Sequence, residues 1–148
     1  MGDSQPAPPA PPSRPEIEVA AGLVFRERRL LIAQRRAGDP LGGFWEFPGG
    51  KRQAGETFME CLRRELREEL GIEVEVLELF EAISHAYPEK TVHLRFHRCR
   101  WLRNEPQALG CHAWAWVTRA ELGQYRFPPA DERLLEQLTR DSALWEPS

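Results

Sequence analysis

The segment GGKRQAGETFMECLRRELREELGI, Gly49 to Ile72, sets one sharply bounded helix between two glycine-bearing turns. Thr57 followed by Glu60 has the spacing of a capping box, so the helix is expected to begin at Thr57. Gly71, just past Leu70, is the left-handed stop. Between them Phe58, Leu62, Leu66 and Leu70 recur at every fourth residue, a narrow apolar stripe that faces a core. Ile72 packs as the chain leaves the helix.

The same helix gathers acidic residues. Glu65, Glu68 and Glu69 stand at i, i+3 and i+4, which places three carboxylates on one side. Like charges at these spacings destabilise a helix by roughly 0.2–0.5 kcal/mol per pair. Arg63, Arg64 and Arg67 offset part of that repulsion, and a solvated, salt-bridged face would need nothing more. The entrance FPGGKRQAGE favours a different reading. Gly49 and Gly50 allow a tight turn whose carbonyls can approach an ion or a phosphate. Magnesium selects oxygen ligands from carboxylates, carbonyls and water, with substrate phosphates completing the shell.

The remaining chain supplies strands around this helix. IEVAAGLVF and RLLIAQ, separated by the charged RERR, read as a hairpin. RRAGDPLGGFWEFPGG reads as a loop. EVEVLELFEAISHAY, KTVHLRFHRCRWL and HAWAWV read as further strands, and DERLLEQLTRDS as a closing amphipathic helix. Strands interleaved with two helices predict an α/β sandwich on a mixed sheet. His93 and His97 fall on one face of a strand, as do Trp114 and Trp116, which reads as exposed or hydrogen-bonded histidines and core tryptophans rather than a metal spacing.

At 148 residues, 41% hydrophobic and 29% charged, the chain is long enough for one real core. Residues 1–15, MGDSQPAPPAPPSRP, offer little to bury and are expected to be a disordered tail, leaving 16–148 as a single domain. A net charge of −3 gives no electrostatic reason for stable DNA or RNA binding. No apolar run reaches the roughly 18–20 residues that span a bilayer, and no secretory signal pattern opens the chain. Cys61, Cys99 and Cys111 are odd in number and widely spaced, fitting reduced thiols in the cytoplasm.

Gly50, five residues, Glu56, seven residues, Arg64-Glu65-Leu66, one residue, Glu68-Glu69, one residue, Gly71-Ile72: these positions match the Nudix box throughout. The chain resembles a Nudix hydrolase of the MutT type. LIAQRRAG, GFWEFPGGK and FPPADERLLEQL extend the similarity over about residues 17–140. The resemblance implies a Nudix-type α/β/α sandwich that cuts a nucleoside triphosphate to the monophosphate and pyrophosphate. It assigns Glu65, Glu68, Glu69 and the Gly49 carbonyl to magnesium, or manganese as a substitute. It pairs Glu56 with Arg64 as a brace between helix and loop. Lys51 and one of Arg35 and Arg36 become phosphate contacts, and Glu68 or Glu69 the general base.

For the base, the resemblance points to Asp131, which is also read as the N-cap of the last helix. Phe47 and Phe127, with Trp45, are the expected stacking wall. One position departs from the pattern: Gly110 stands where MutT relatives usually carry another glutamate. Its role passes to the box glutamates, to His112 or to Glu105, or activity is lower. The first expected substrate is 8-oxo-dGTP, in nucleotide-pool sanitation and hence DNA repair. The alternatives are a CTP or 5-methyl-dCTP pyrophosphatase and a non-catalytic nucleotide- or lesion-binding module, which the intact box disfavours. A monomer or homodimer is expected.

Overall fold

The computed structural model describes residues 15–147. Residues 1–14 of the expected tail lie outside them, while the Pro15 carbonyl already accepts from Thr91 N–H at 2.9 Å. The hairpin forms as strands β1 (Glu16–Arg26) and β2 (Arg29–Gln34). Glu27 and Arg28 both take positive φ, 47° and 65°, which is what a two-residue turn between twisted strands requires.

The stretch expected to be a loop contains two short strands, β3 (Trp45–Glu46) and β4 (Gly49–Lys51). Helix α1 (Phe58–Leu70) follows, then β5 (Glu73–Ala86), β6 (Thr91–Arg103), β7 (Ala113–Thr118) and helix α2 (Glu132–Arg140). The main sheet order is β3-β2-β1-β6-β5, with β4 paired to β1 and β7 to β2. β1 and β6 run parallel over ten pairs from Glu16↔Thr91 to Phe25↔Arg100, and the other neighbours run antiparallel, so the sheet is mixed.

The sheet forks. β1 pairs with β2 only at Phe25↔Leu30 and Arg26↔Arg29. Lower down, β4 takes the edge of β1 from Val19 to Ala21, while β3 pairs with Ala33 and Gln34 at the far end of β2. Strand alternation sorts the core into two layers. Ala20, Val24, Leu31 and Ala33 pack with α1, whereas Ala21, Leu23, Leu30 and Ile32 pack with Leu134 and Leu138 of α2. Helices thus cover both faces.

Helix α1 follows its sequence signals. Thr57 Oγ1 accepts from Glu60 N–H at 3.1 Å, Glu60 Oε1 accepts from Thr57 N–H at 2.9 Å, and Gly71 adopts φ 70°. Leu62, Leu66 and Leu70 are fully buried. Each contributes on the order of 1.5–3 kcal/mol by leaving water, well above the few tenths per like-charge pair on the opposite face. Packing therefore fixes the helix, and the carboxylates go where it carries them.

The second helix departs from expectation at its start. Asp131 ends a one-turn 3-10 helix, Pro129–Asp131, with φ −90° and ψ −2°, and makes no side-chain cap bond. A cap needs an extended backbone to turn its oxygen onto the first free N–H groups. His97 is buried, its Nδ1 hydrogen-bonded to the Leu77 carbonyl at 3.0 Å, and His93 Nδ1 lies 2.8 Å from Ser84 Oγ. Trp114 and Trp116 are partly buried against the α1 layer. Among the described residues no helix is long and apolar enough to cross a membrane.

Thr57→Ala removes one half of the capping box and should lower unfolding stability by about 1 kcal/mol. Urea denaturation read by tryptophan fluorescence checks this, with the slope of the transition expected to stay the same.

Candidate active site

A cavity of about 560 Å³ opens at the fork of the sheet. One wall comes from Glu65, Glu68 and Glu69 of α1, facing Gly49, Gly50 and Lys51 of β4. Phe47, Leu94 and Phe96 form an apolar surface with Val19, Ala20 and Ala21 of β1, and Arg35, Glu46, Gly110 and Asp131 complete the lining.

The glycine turn sets how near the helix comes. A β-carbon at Gly50 would overlap the Glu65 carboxyl group, and one at Gly49 would overlap the Ala20 carbonyl. Gly22 N–H donates to the Pro48 carbonyl and Arg52 N–H to the Glu18 carbonyl, each at 2.8 Å. Antiparallel alternation then turns the backbone groups of Gly49 away from β1, toward α1. The Gly49 backbone pulls the Glu69 pKa down, against the larger effect of burial.

Arg64 ties this region together. Its Nη2 donates to Glu56 Oε1 at 2.7 Å and to the Lys51 carbonyl at 3.1 Å, while Nη1 reaches Glu65 Oε1 at 2.9 Å and Glu68 Oε2 at 3.1 Å. Glu56 also accepts from Gln53 N–H at 2.8 Å. The Arg64 guanidinium, aided by that backbone bond, holds the Glu56 carboxyl down at about 2.

Four carboxyls of the cavity, Glu46, Glu65, Glu69 and Asp131, move the other way. Burial pushes Glu69 up to about 8, and the nearby Glu46 and Glu65 carboxylates add to it. Burial also raises Glu65 against the pull of Arg64, and raises Glu46 and Asp131. Crowded, half-buried carboxylates of this kind are a hard, all-oxygen donor set short of positive charge, which fits a divalent cation such as magnesium. Among the described residues no three acidic, histidine or cysteine side chains already converge on one point, so the donors would draw together around an ion.

Several sequence expectations are revised. Of the arginine pair, Arg35 lines the cavity, bonded through Nη1 to Glu46 Oε2 at 2.8 Å, whereas Arg36 is exposed and donates to the Leu109 carbonyl at 2.9 Å. Phe127 does not line the cavity. It lies buried behind Phe47, ring centroids 5.1 Å apart. Trp45 packs edge-on against Tyr125 at 4.9 Å, away from the cavity. Phe47 and Phe96, T-shaped at 6.1 Å, are the aromatic surface instead.

Gly110 sits against Glu69, but neither His112 nor Glu105 lines the cavity, and Glu105 is held by Arg26 at 2.6 Å. Glu46 is the acidic residue that sequence reading missed. Its two-residue strand gave one usable signal: alternation turns Glu46 to the side opposite Trp45.

Residues 20–137 match the NUDIX domain. The chain belongs to the Nudix family. A Haemophilus influenzae 8-oxo-dGTP diphosphatase is 35% identical over 85% of this chain and 93% of its own. An Escherichia coli CTP pyrophosphohydrolase is 38% identical over 81% and 89%. A solved MutT structure, from a study of the Aliivibrio salmonicida and Vibrio cholerae proteins, is 30% identical with a TM-score of 0.71, covering 84% of this chain and 97% of that one. The α/β/α sandwich with its mixed sheet is thus the Nudix fold, and the protein is a Nudix hydrolase. Nudix hydrolases as a class need a divalent metal.

The Glu56 carboxyl titrates below its ordinary value of 4.5, so its bond to Arg64 favours the folded state above about pH 4.5, and that contribution disappears as pH falls through about 2. Wild type should melt above Glu56→Gln at neutral pH. The gap between their melting temperatures should close between pH 4.5 and 2, as calorimetric scans across that range would report.

Proposed function

We propose that this Nudix hydrolase is a magnesium-dependent nucleoside triphosphate pyrophosphohydrolase that sanitises oxidised nucleotides, cutting 8-oxo-dGTP to 8-oxo-dGMP and pyrophosphate. One observation carries the reading: a single cavity joins a carboxylate-bearing helix to an aromatic surface beside a half-buried aspartate. A nucleotide has the matching ends, a polyphosphate and a flat base. The relatives named for 8-oxo-dGTP and CTP hydrolysis point to the same class.

Glu65, Glu68, Glu69 and the Gly49 carbonyl would hold magnesium, which when bound neutralises phosphate charge and polarises the scissile anhydride. Lys51 and Arg35 supply positive charge at the cavity wall, and Arg35 Nε is buried without a hydrogen-bond partner among the described residues. Glu69, the carboxylate facing Glu46 and Glu65, accepts the proton of the attacking water. Arg64 braces Glu65 and Glu68 from behind, and Glu56 holds Arg64. Phe47 and Phe96, which line the cavity, supply the aromatic surface for the base, where stacking is worth about 1–3 kcal/mol per base.

Asp131 favours a second reading. Its half-buried side chain lines the cavity, and a carboxylate accepts from an amino group at a base edge. That suits an oxidised purine, and it also suits a cytosine, the base handled by the CTP pyrophosphohydrolase relative. The enzyme works where the nucleotide pool is, in the cytoplasm, and three free buried cysteines among the described residues agree with a reducing compartment.

Pyrophosphate release from a panel of nucleoside triphosphates, with and without magnesium, tests the proposal. 8-oxo-dGTP should give the highest kcat/KM, and a clear preference for CTP or 5-methyl-dCTP would move the assignment to the second reading. Glu69→Gln should cut kcat by about 10²–10⁴. If wild type binds nucleotides but releases no pyrophosphate from any of them, the catalytic reading fails.

A further inference from the structure

The carbonyls at the end of α1 are satisfied from a distant loop. A helix leaves its last carbonyls without partners of its own. Gly71 N–H takes the Arg67 carbonyl. The next ones are taken from residues 107–110: Gln107 N–H donates to the Leu70 carbonyl at 2.9 Å, and Leu109 and Gly110 N–H both donate to the Glu69 carbonyl, at 3.1 and 2.9 Å. The approach is close. A β-carbon on Gly110 would lie 3.2 Å from both Cα and Cγ of Glu69.

The loop is anchored on its other side as well. Arg36 Nη2 donates to the carbonyl of Leu109, the residue whose own N–H holds Glu69, and His112 N–H donates to the Gln34 carbonyl at 2.8 Å. Gln34 and Arg36 flank Arg35 at the end of β2. Arg35 in turn grips Glu46, whose carboxylate helps to raise the pKa of Glu69. The loop therefore spans from the helix end to the wall that carries Arg35 and Glu46.

We propose that the 107–110 loop, clamped by Arg36, is a strut that sets the position of the Glu69 carboxylate, and that Arg36 is a positioning residue for the hydrolysis proposed above, on which this role rests. At Gly110 the chain brings glycine backbone onto the end of the helix. Arg36 itself is exposed and lies outside the cavity lining, so it acts through Leu109 and not on the substrate.

Arg36→Ala and Arg36→Lys test the strut through three measurements: steady-state kinetics, Mn²⁺ binding to the nucleotide-free protein by electron paramagnetic resonance, and amide exchange at residues 109 and 110. In Arg36→Ala, kcat and Mn²⁺ affinity should each fall about 10–100-fold, the loss typical when a residue supporting metal ligands is removed. KM for the nucleotide should stay the same and the two amides should exchange faster. Arg36→Lys keeps one donor for the Leu109 carbonyl and should recover most of the loss. A raised KM with unchanged kcat would make Arg36 a substrate contact and overturn the proposal, as would faster exchange with unchanged Mn²⁺ affinity. If wild type proves inactive on every nucleotide, the hydrolytic reading falls, and Mn²⁺ affinity and exchange still decide the strut.

Discussion

Burial of one leucine stripe makes the acidic cavity possible. Leu62, Leu66 and Leu70 reach zero exposure against the sheet, and the helix that carries them has no freedom to turn its carboxylates elsewhere. Glu65 and Glu69 consequently sit half-buried beside other acids, with pKa values raised by the loss of water. Free in solution, such groups would separate. Here the apolar side of the helix holds the polar side in an arrangement it would not choose.

Arg64 and the glycine turn determine how that arrangement is finished. The guanidinium touches Glu56, Glu65 and Glu68 together with the Lys51 carbonyl, so it links the loop before the helix to the helix itself. Gly50 lets Glu65 lie flat against backbone where any side chain would collide. The box spacing thus encodes two different things: which atoms face the cavity, and which atoms keep the turn from lifting away.

Local signals were the ones legible in the chain. The capping box, the Gly71 stop, the apolar stripe and the i, i+3, i+4 carboxylates all follow from neighbours within a few residues, and the structure contains each of them. β3 and β4 were not legible, because strands of two and three residues exist only through pairing with β2 and β1. Glu46 was missed for the same reason. The choice between Arg35 and Arg36, and the withdrawal of Phe127 behind Phe47, depend on how separate segments meet at the fork. Asp131 stands at the start of the last helix, after Pro128-Pro129-Ala130, where a cap is expected, yet its backbone is already helical and the residue lines the cavity.

The forked sheet has an evolutionary consequence. The glycine turn and the helix-borne acids of the cavity are written in one continuous stretch, 49–69, whereas the aromatic end is assembled from residues 47, 94, 96 and 131 on three separate segments. A substitution at Leu94 or Asp131 can reshape what the flat end admits while the leucine stripe and the glycine turn remain untouched. On the nucleotide reading proposed above, a lineage built on this frame can change its diet of bases by drift at scattered points and keep its hydrolytic machinery unaltered.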